Sequence, residues 1–133
     1  TGTAAQVTEA LVTAETKVLA SSAKVTLNDG ADTALTATAL SAIGRETNGA
    51  VTVSNAVEIT GTAAQVTEAL VTAETKVLAS TAKVTLNDAA NTALTATALS
   101  AIGSETTGVV TVSNAVVITG TAAEIIAALV TAI

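Results

Sequence analysis

Along the chain the apolar positions switch between two spacings. From Val51 to Ile59 they fall on every second residue: Val51, Val53, Asn55, Val57 and Ile59 point one way and Thr52, Ser54, Ala56 and Glu58 the other. That is the period of a strand with one buried and one wetted face. From Val7 the spacing becomes helical, with Val7, Ala10, Leu11 and Ala14 on one stripe. Thr3-x-x-Gln6 opens this helix with the capping-box spacing, which satisfies two amide donors that a helix start leaves unpaired. Thr62-x-x-Gln65 and Thr121-x-x-Glu124 repeat the arrangement. The helix is expected to stop near Ala14 and pass into a loop; Val18 extends the stripe, so the alternative is a run to Leu19. A second helix is expected with Asp32 or Asn91 as N-cap, Leu35, Ala39, Leu40, Ala42 and Ile43 inward, and Gly44 or Gly103 at its stop.

The same block returns at Thr1, Thr60 and Thr119, so residues 1–59 and 60–118 are two copies and 119–133 begins a third as a C-terminal cap helix. The full copies differ at seven positions: Ser22/Thr81, Gly30/Ala89, Asp32/Asn91, Arg45/Ser104, Asn48/Thr107, Ala50/Val109 and Glu58/Val117. Inside each copy Val25-Thr26-Leu27 matches Val51-Thr52-Val53. Strand starts therefore fall at Val25, Val51, Val84 and Val110, in a short step, a longer one and a short one again, with a helix in each. The expected fold is α/β: a right-handed solenoid of strand–helix coils in one continuous domain, its strands in a single parallel sheet with helices on one side. Alternating Val and Thr favours that over a doubly wound sheet, whose strands are covered on both faces and read as continuous apolar runs.

Composition narrows the chemistry. Half of the 133 residues are hydrophobic, yet Phe, Trp, Tyr, Met, Cys and His are all absent, so the core is Ala, Val, Leu and Ile and leaves little room for a large pocket. Without imidazole or thiolate the chain lacks the usual transition-metal ligands, and Ser-His-Asp and Cys-His catalysis are excluded. A net charge of −6 without aromatics argues against nucleic acid as a partner. The apolar run from Ile125 to Val130 is far too short to span a membrane, so no insertion is expected. Thr1-Gly2-Thr3 recurs internally and carries no targeting signal, which reads as the edge of a longer array and removes Thr1 as a terminal nucleophile.

Val-Thr-Val-Ser-Asn followed by Thr-Gly-Thr-Ala-Ala-[Gln/Glu]-[Val/Ile], with Leu-Ser-Ala-Ile-Gly-x-Glu-Thr-x-Gly before it, resembles the tandem arrays of very large cell-surface and secreted repeat proteins of marine cyanobacteria and other bacteria. The resemblance covers essentially the whole chain and implies an extracellular or cell-surface rod or adhesive stalk. Leucine-rich repeats are a second comparison, because they too alternate a short strand with a helix and place an Asn beyond the strand; here Val51-x-Val53-x-Asn55 spaces that Asn differently.

The expected function is therefore a non-enzymatic structural and adhesive module without a cofactor. The alternative is a ligand-binding solenoid that holds calcium, glycan or ice. Asp29, Asn55, Asp88 and Asn114 recur at strand ends and are the calcium candidates, against the plainer reading that such residues bond the turn backbone. Thr26, Thr52, Thr85 and Thr111 form the outward threonine set, interrupted by neighbours such as Lys24 and Lys83. At the far end Thr67, Glu68, Glu74 and Glu58 become Ile126, Ala127, Ile133 and Val117, so Val117, Ile125, Ile126 and Ile133 are the candidates for end-to-end or side-by-side self-association.

Overall fold

Groups of two or three short strands alternate with capped helices among the described residues. The computed structural model describes every residue except 14, 16, 17, 73, 76 and 131–133. Its helices are α1 (Ala4–Leu11), α2 (Ala37–Arg45), α3 (Ala63–Val66) continued by a π-helical turn Thr67–Val71, α4 (Ala96–Ser104) and α5 (Ala122–Leu129). The strands are β1 (Val25–Leu27), β2 (Ala34–Thr36), β3 (Val51–Val53), β4 (Glu58–Gly61), β5 (Val77–Leu78), β6 (Lys83–Leu86), β7 (Ala93–Thr95), β8 (Val110–Val112) and β9 (Val117–Thr119).

The capping boxes form as their spacing predicts: Thr3, Thr62 and Thr121 accept from the amides of Gln6, Gln65 and Glu124, whose side chains reach back to the cap amides. The first helix ends at Leu11, so the shorter reading holds, with Val7 and Leu11 buried. Ala14 of its expected stripe lies outside the described residues.

The second helix type starts later than expected. Its N-caps are Thr36 and Thr95, which accept from the amides of Ala39 and Ala98. Asp32 and Asn91 have positive φ, 63° and 66°, and turn the chain before a strand; short polar side chains tolerate that conformation. Leu35 and Leu94, expected on the helix, are the buried centres of β2 and β7. Gly44 does not stop α2, because the helix continues to Arg45. It lets another segment approach: a Cβ there would lie 2.2 Å from the Thr75 carbonyl oxygen.

All strand pairings are parallel, but they form three small sheets, ordered β1-β3-β5, β2-β4-β6-β8 and β7-β9. This corrects the single-sheet expectation. Val25 pairs with Val51 and Val84 with Val110, yet Val51 pairs onward with Val77 and Val84 pairs back to Ile59. The reason lies in the segments between. The long alternating stretch breaks after Val53 into β3 and β4, which join different sheets, and Val77 and Leu78 supply a strand inside the longer step from Val51 to Val84. The chain distance between partners is nearly constant throughout, as Leu35 with Ile59, Ile59 with Val84 and Val84 with Val110 illustrate. Equivalent strands therefore change sheet from copy to copy: β1 is in the first sheet and its equivalent β6 in the second, β2 in the second and β7 in the third.

A single aliphatic cluster fills the interior, with Leu27, Leu40, Ile43, Ile59, Leu86 and Ile102 as its largest fully buried side chains. Helices contact one another in succession, α1 with α2, α2 with α3 and its π-helical turn, that turn with α4, and α4 with α5.

Candidate functional site

Asp29 and Asp88 each lie just beyond a strand and are buried, and each carboxylate has a definite task. Asp29 Oδ2 accepts from the Ala4 amide at 2.8 Å and Asp88 Oδ2 from the Ala63 amide at 2.8 Å, so each carboxylate sits at the first amide of α1 or α3. Negative charge there is favoured by the unpaired amides of a helix start. In the next strand along, Asn55 Nδ2 donates to the Asp29 carbonyl and Asn114 Nδ2 to the Asp88 carbonyl, both at 2.7 Å. The four candidate calcium ligands are thus joined in two pairs, each tying one strand end to the next. Among the described residues no three His, Cys, Asp or Glu side chains are grouped so as to hold a metal ion.

The threonine set is distributed over more than one sheet. Thr26 pairs with Thr52 in the first and Thr85 with Thr111 in the second, where Thr36 and Thr60 complete a file of four. Charged residues border the second sheet. Lys83 Nζ donates to Asp32 at 2.7 Å, and that hydrogen bond, followed by the charge of the carboxylate, raises the lysine pKa. Thr85 donates to Glu58 at 3.0 Å. Shallow open grooves of about 460 and 440 Å³ recur in the two copies, lined mainly by alanine and threonine of α1 against β2 and of α3 against β7.

The self-association candidates gather at one end. Val117 is 49 % exposed in β9 and Ile126 51 % exposed in α5, Ile125 is half-buried, and Ile133 lies outside the described residues. None of the residues of α5 is buried, whereas its equivalent in the second copy buries Ala63, Val66, Ala69 and Leu70. Val110 and Val112 of β8 are likewise only half-buried, against full burial of Val51 and Val53 in β3.

Sequence reading alone missed that the copy-to-copy differences are coupled. Arg45 pairs with Glu68 from the next copy, and the equivalents of both are uncharged, Ser104 and Ala127. Asp32 pairs with Lys83, and Asn91 replaces Asp32 in the second copy. The signal was present as paired substitutions, but only the fold shows which positions meet.

No family model, curated protein or solved structure matches the chain. No helix among the described residues is long and apolar enough to cross a membrane.

Proposed function

We propose that the chain is a non-enzymatic structural module of a longer extracellular or cell-surface array, wound as a right-handed solenoid, and that it works by spacing and display. One observation carries this reading: every strand pairing is parallel and nearly constant in its offset along the chain, whichever sheet it lies in. A chain that meets itself in parallel at a fixed interval is coiling. If α1, residues 18–19, β1, β2, α2, β3 and β4 are taken as successive sides, and three sides make a turn, each copy ends about one side further round than it began. That accounts for the transfer of equivalent strands from one sheet to the next. It also accounts for three short sheets in place of one wide sheet, each being one side of the coil.

The chemistry supports display over catalysis. The chain has neither His nor Cys, and Asp29 and Asp88 are engaged with backbone amides. Surface location rests on the resemblance of the repeat motifs to those of giant bacterial surface proteins.

The test is small-angle X-ray scattering on proteins carrying one, two and three additional repeat copies. At about 4.8 Å between neighbouring strands, each copy adds roughly 11 Å to the longest dimension while the cross-section stays constant. Growth of the cross-section, as in a globule, would refute the coil and with it the display role.

A further inference from the structure

Asparagine or aspartate followed by glycine is a chemical weak point of a polypeptide, because no Cβ on the glycine hinders its amide nitrogen from reaching the preceding side-chain carbonyl carbon. The sequence has two such pairs, Asp29-Gly30 and Asn48-Gly49, and the second copy keeps neither, carrying Asp88-Ala89 and Thr107-Gly108. The fold treats the two pairs differently. Asp29 is 7 % exposed, its carboxylate accepts from the Ala4 amide and its carbonyl accepts from Asn55 Nδ2, so both of its oxygen-bearing groups are engaged. Asn48 lies in the bend between α2 and β3, is exposed, and has a side chain without a hydrogen bond among the described residues. Its flanks are anchored: the Asn48 amide donates to the Ser21 carbonyl at 2.7 Å and the Val25 amide to the Ala50 carbonyl at 2.9 Å. Between these anchors the Gly49 amide donates to the Thr47 hydroxyl at 3.0 Å. A bend held by one neutral hydrogen bond opens locally without unfolding the chain. The exposure is no product of a chain end, since Asn48 has the whole second copy after it, and its equivalent Thr107 is likewise exposed with the whole first copy before it.

We infer that Asn48-Gly49 is a site of spontaneous hydrolytic modification, at which the folded chain converts Asn48 to aspartate and isoaspartate while Asp29-Gly30 stays intact. The Gly49 nitrogen gives its proton to water and bonds to Asn48 Cγ. The Cγ–Nδ2 bond breaks, and ammonia leaves with a proton returned from water, which closes a five-membered imide. A second water then adds to one of the two ring carbonyls. Opening on one side leaves aspartate on the original backbone; opening on the other leaves isoaspartate, with the main chain running through Cβ and Cγ. The sum is one water consumed and one ammonia released, with no change of oxidation state. Both products add a negative charge. Isoaspartate also lengthens the main chain by one carbon between the Ser21 anchor and Gly49, where there is no slack to take it up. A Cβ on Gly49 would lie 2.3 Å from the Ala23 carbonyl oxygen, so the two backbones are in contact. The buried Thr47 hydroxyl bonds the same carbonyl. Isoaspartate therefore displaces the contact between this bend and the turn at residues 20–23, and the second copy, with Thr107, is immune.

The test is incubation of the full folded chain at physiological temperature in mildly alkaline buffer, followed by peptide mapping. Cleavage after Lys24, Arg45 and Lys76 puts Asp29 and Asn48 in separate peptides. The peptide that begins at Glu46 is expected to gain about one dalton, placed at residue 48 by fragmentation and split into two chromatographic products. The peptide that begins at Val25 keeps a single peak, because isomerisation of Asp29 would split it without a mass change. Asn48→Thr installs the residue that the second copy carries in the same bend, so it keeps the fold and abolishes the gain. The isoaspartyl chain, once isolated, is expected to melt below the Asn48→Asp variant, which has the same charge on an unaltered backbone. Retention of Asn48 in the folded chain while the urea-unfolded chain loses it would overturn the site, and so would isomerisation of Asp29 at an equal rate. Equal melting of the isoaspartyl chain and Asn48→Asp would overturn the displaced contact. None of these outcomes depends on the coil, since the bend and its bonds are the same however the strands are wound.

Discussion

Gly44 and Gly103 are the same residue of the repeat in two surroundings, and the difference sets opposite outcomes for one substitution. A methyl group at Gly44 would press on the Thr75 backbone, 2.2 Å from its carbonyl oxygen, and backbone cannot turn aside as a side chain can. Gly44→Ala is expected to destabilise by about 1–3 kcal/mol, the usual cost of overpacking. Gly103→Ala meets none of the described residues within 4 Å and is expected to stabilise by about 0.5–1 kcal/mol through helix propensity alone. Urea melts of both variants check the pair, and equal signs would show that the two positions are not differently covered. Ser41 makes a related case. It is buried on α2 and its hydroxyl has no hydrogen-bond partner among the described residues. Ser41→Ala removes an unpaired polar atom and is expected to hold or raise stability by up to about 1 kcal/mol, measured in the same melts. Neither environment was legible in the sequence: Gly44 near a predicted helix end reads as a stop signal, and only the approach of residue 75, which is remote in the chain, reveals its use.

At the scale of elements, the helix starts were the most legible feature because capping is local chemistry: residues three apart satisfy each other whatever surrounds them. The second helix shows the limit of that logic. Asp32 is an excellent cap by type, yet Leu35 is drawn into a strand against Ile59, and the cap falls instead to Thr36, one turn further on. Asp29 and Asp88 add a contribution from a segment remote in the chain that local spacing could not disclose. Asp88→Ala leaves the buried Ala63 amide without its carboxylate and is expected to cost about 1–3 kcal/mol, with faster amide exchange concentrated in α3; Asp88→Asn, which keeps an acceptor oxygen, costs less. In α5 the capping box carries Glu124 where the other copies carry Gln. Backbone and side-chain hydrogen bonds from Thr121 hold the Glu124 carboxyl below its ordinary value of 4.5. The folded pKa lies below the unfolded one, so this contribution is complete above about pH 4.5 and is lost as pH falls through the folded value. Protection of the Ile125 and Ile126 amides, taken relative to their intrinsic exchange rates at each pH, should therefore fall in acid, and Glu124→Gln should remove that loss. Unchanged protection across this range would show that the cap does not hold the helix.

For the whole molecule, self-similarity was visible in the residues while the assignment of strands to sheets was not. The recurrence of the block at Thr1, Thr60 and Thr119 and the matching strand motifs are printed in the sequence, but they suggest steps that alternate between short and long, and the pairing follows no such alternation. Val84 meets Ile59 and not Val51 because β4 lies beside β6 in the second sheet while β3, beyond the break, lies in the first. Under the proposed coil, stability has a simple form: each copy contributes its own terms and one contact with its neighbour, and an end copy lacks one such contact. The exposed Val18 at one end and the unburied α5 at the other are the missing contacts. Adding one repeat copy then adds a complete interior copy without adding ends. The melting temperature is expected to rise with the first additional copy and by progressively smaller steps thereafter, and the denaturant slope to rise with the surface buried. Denaturant and thermal melts of the series read this out. A melting temperature independent of copy number, with two separate transitions, would mean that the copies fold as isolated units, which the shared cluster from Ala4 to Ile102 argues against. The charged contacts sharpen the expectation. Repeating the first copy restores Arg45 with Glu68 and Asp32 with Lys83 at every junction, whereas repeating the second supplies Ser104 and Asn91 in place of Arg45 and Asp32. Exposed pairs contribute little, so the two series should melt within a few degrees of each other, and copy number should outweigh copy type.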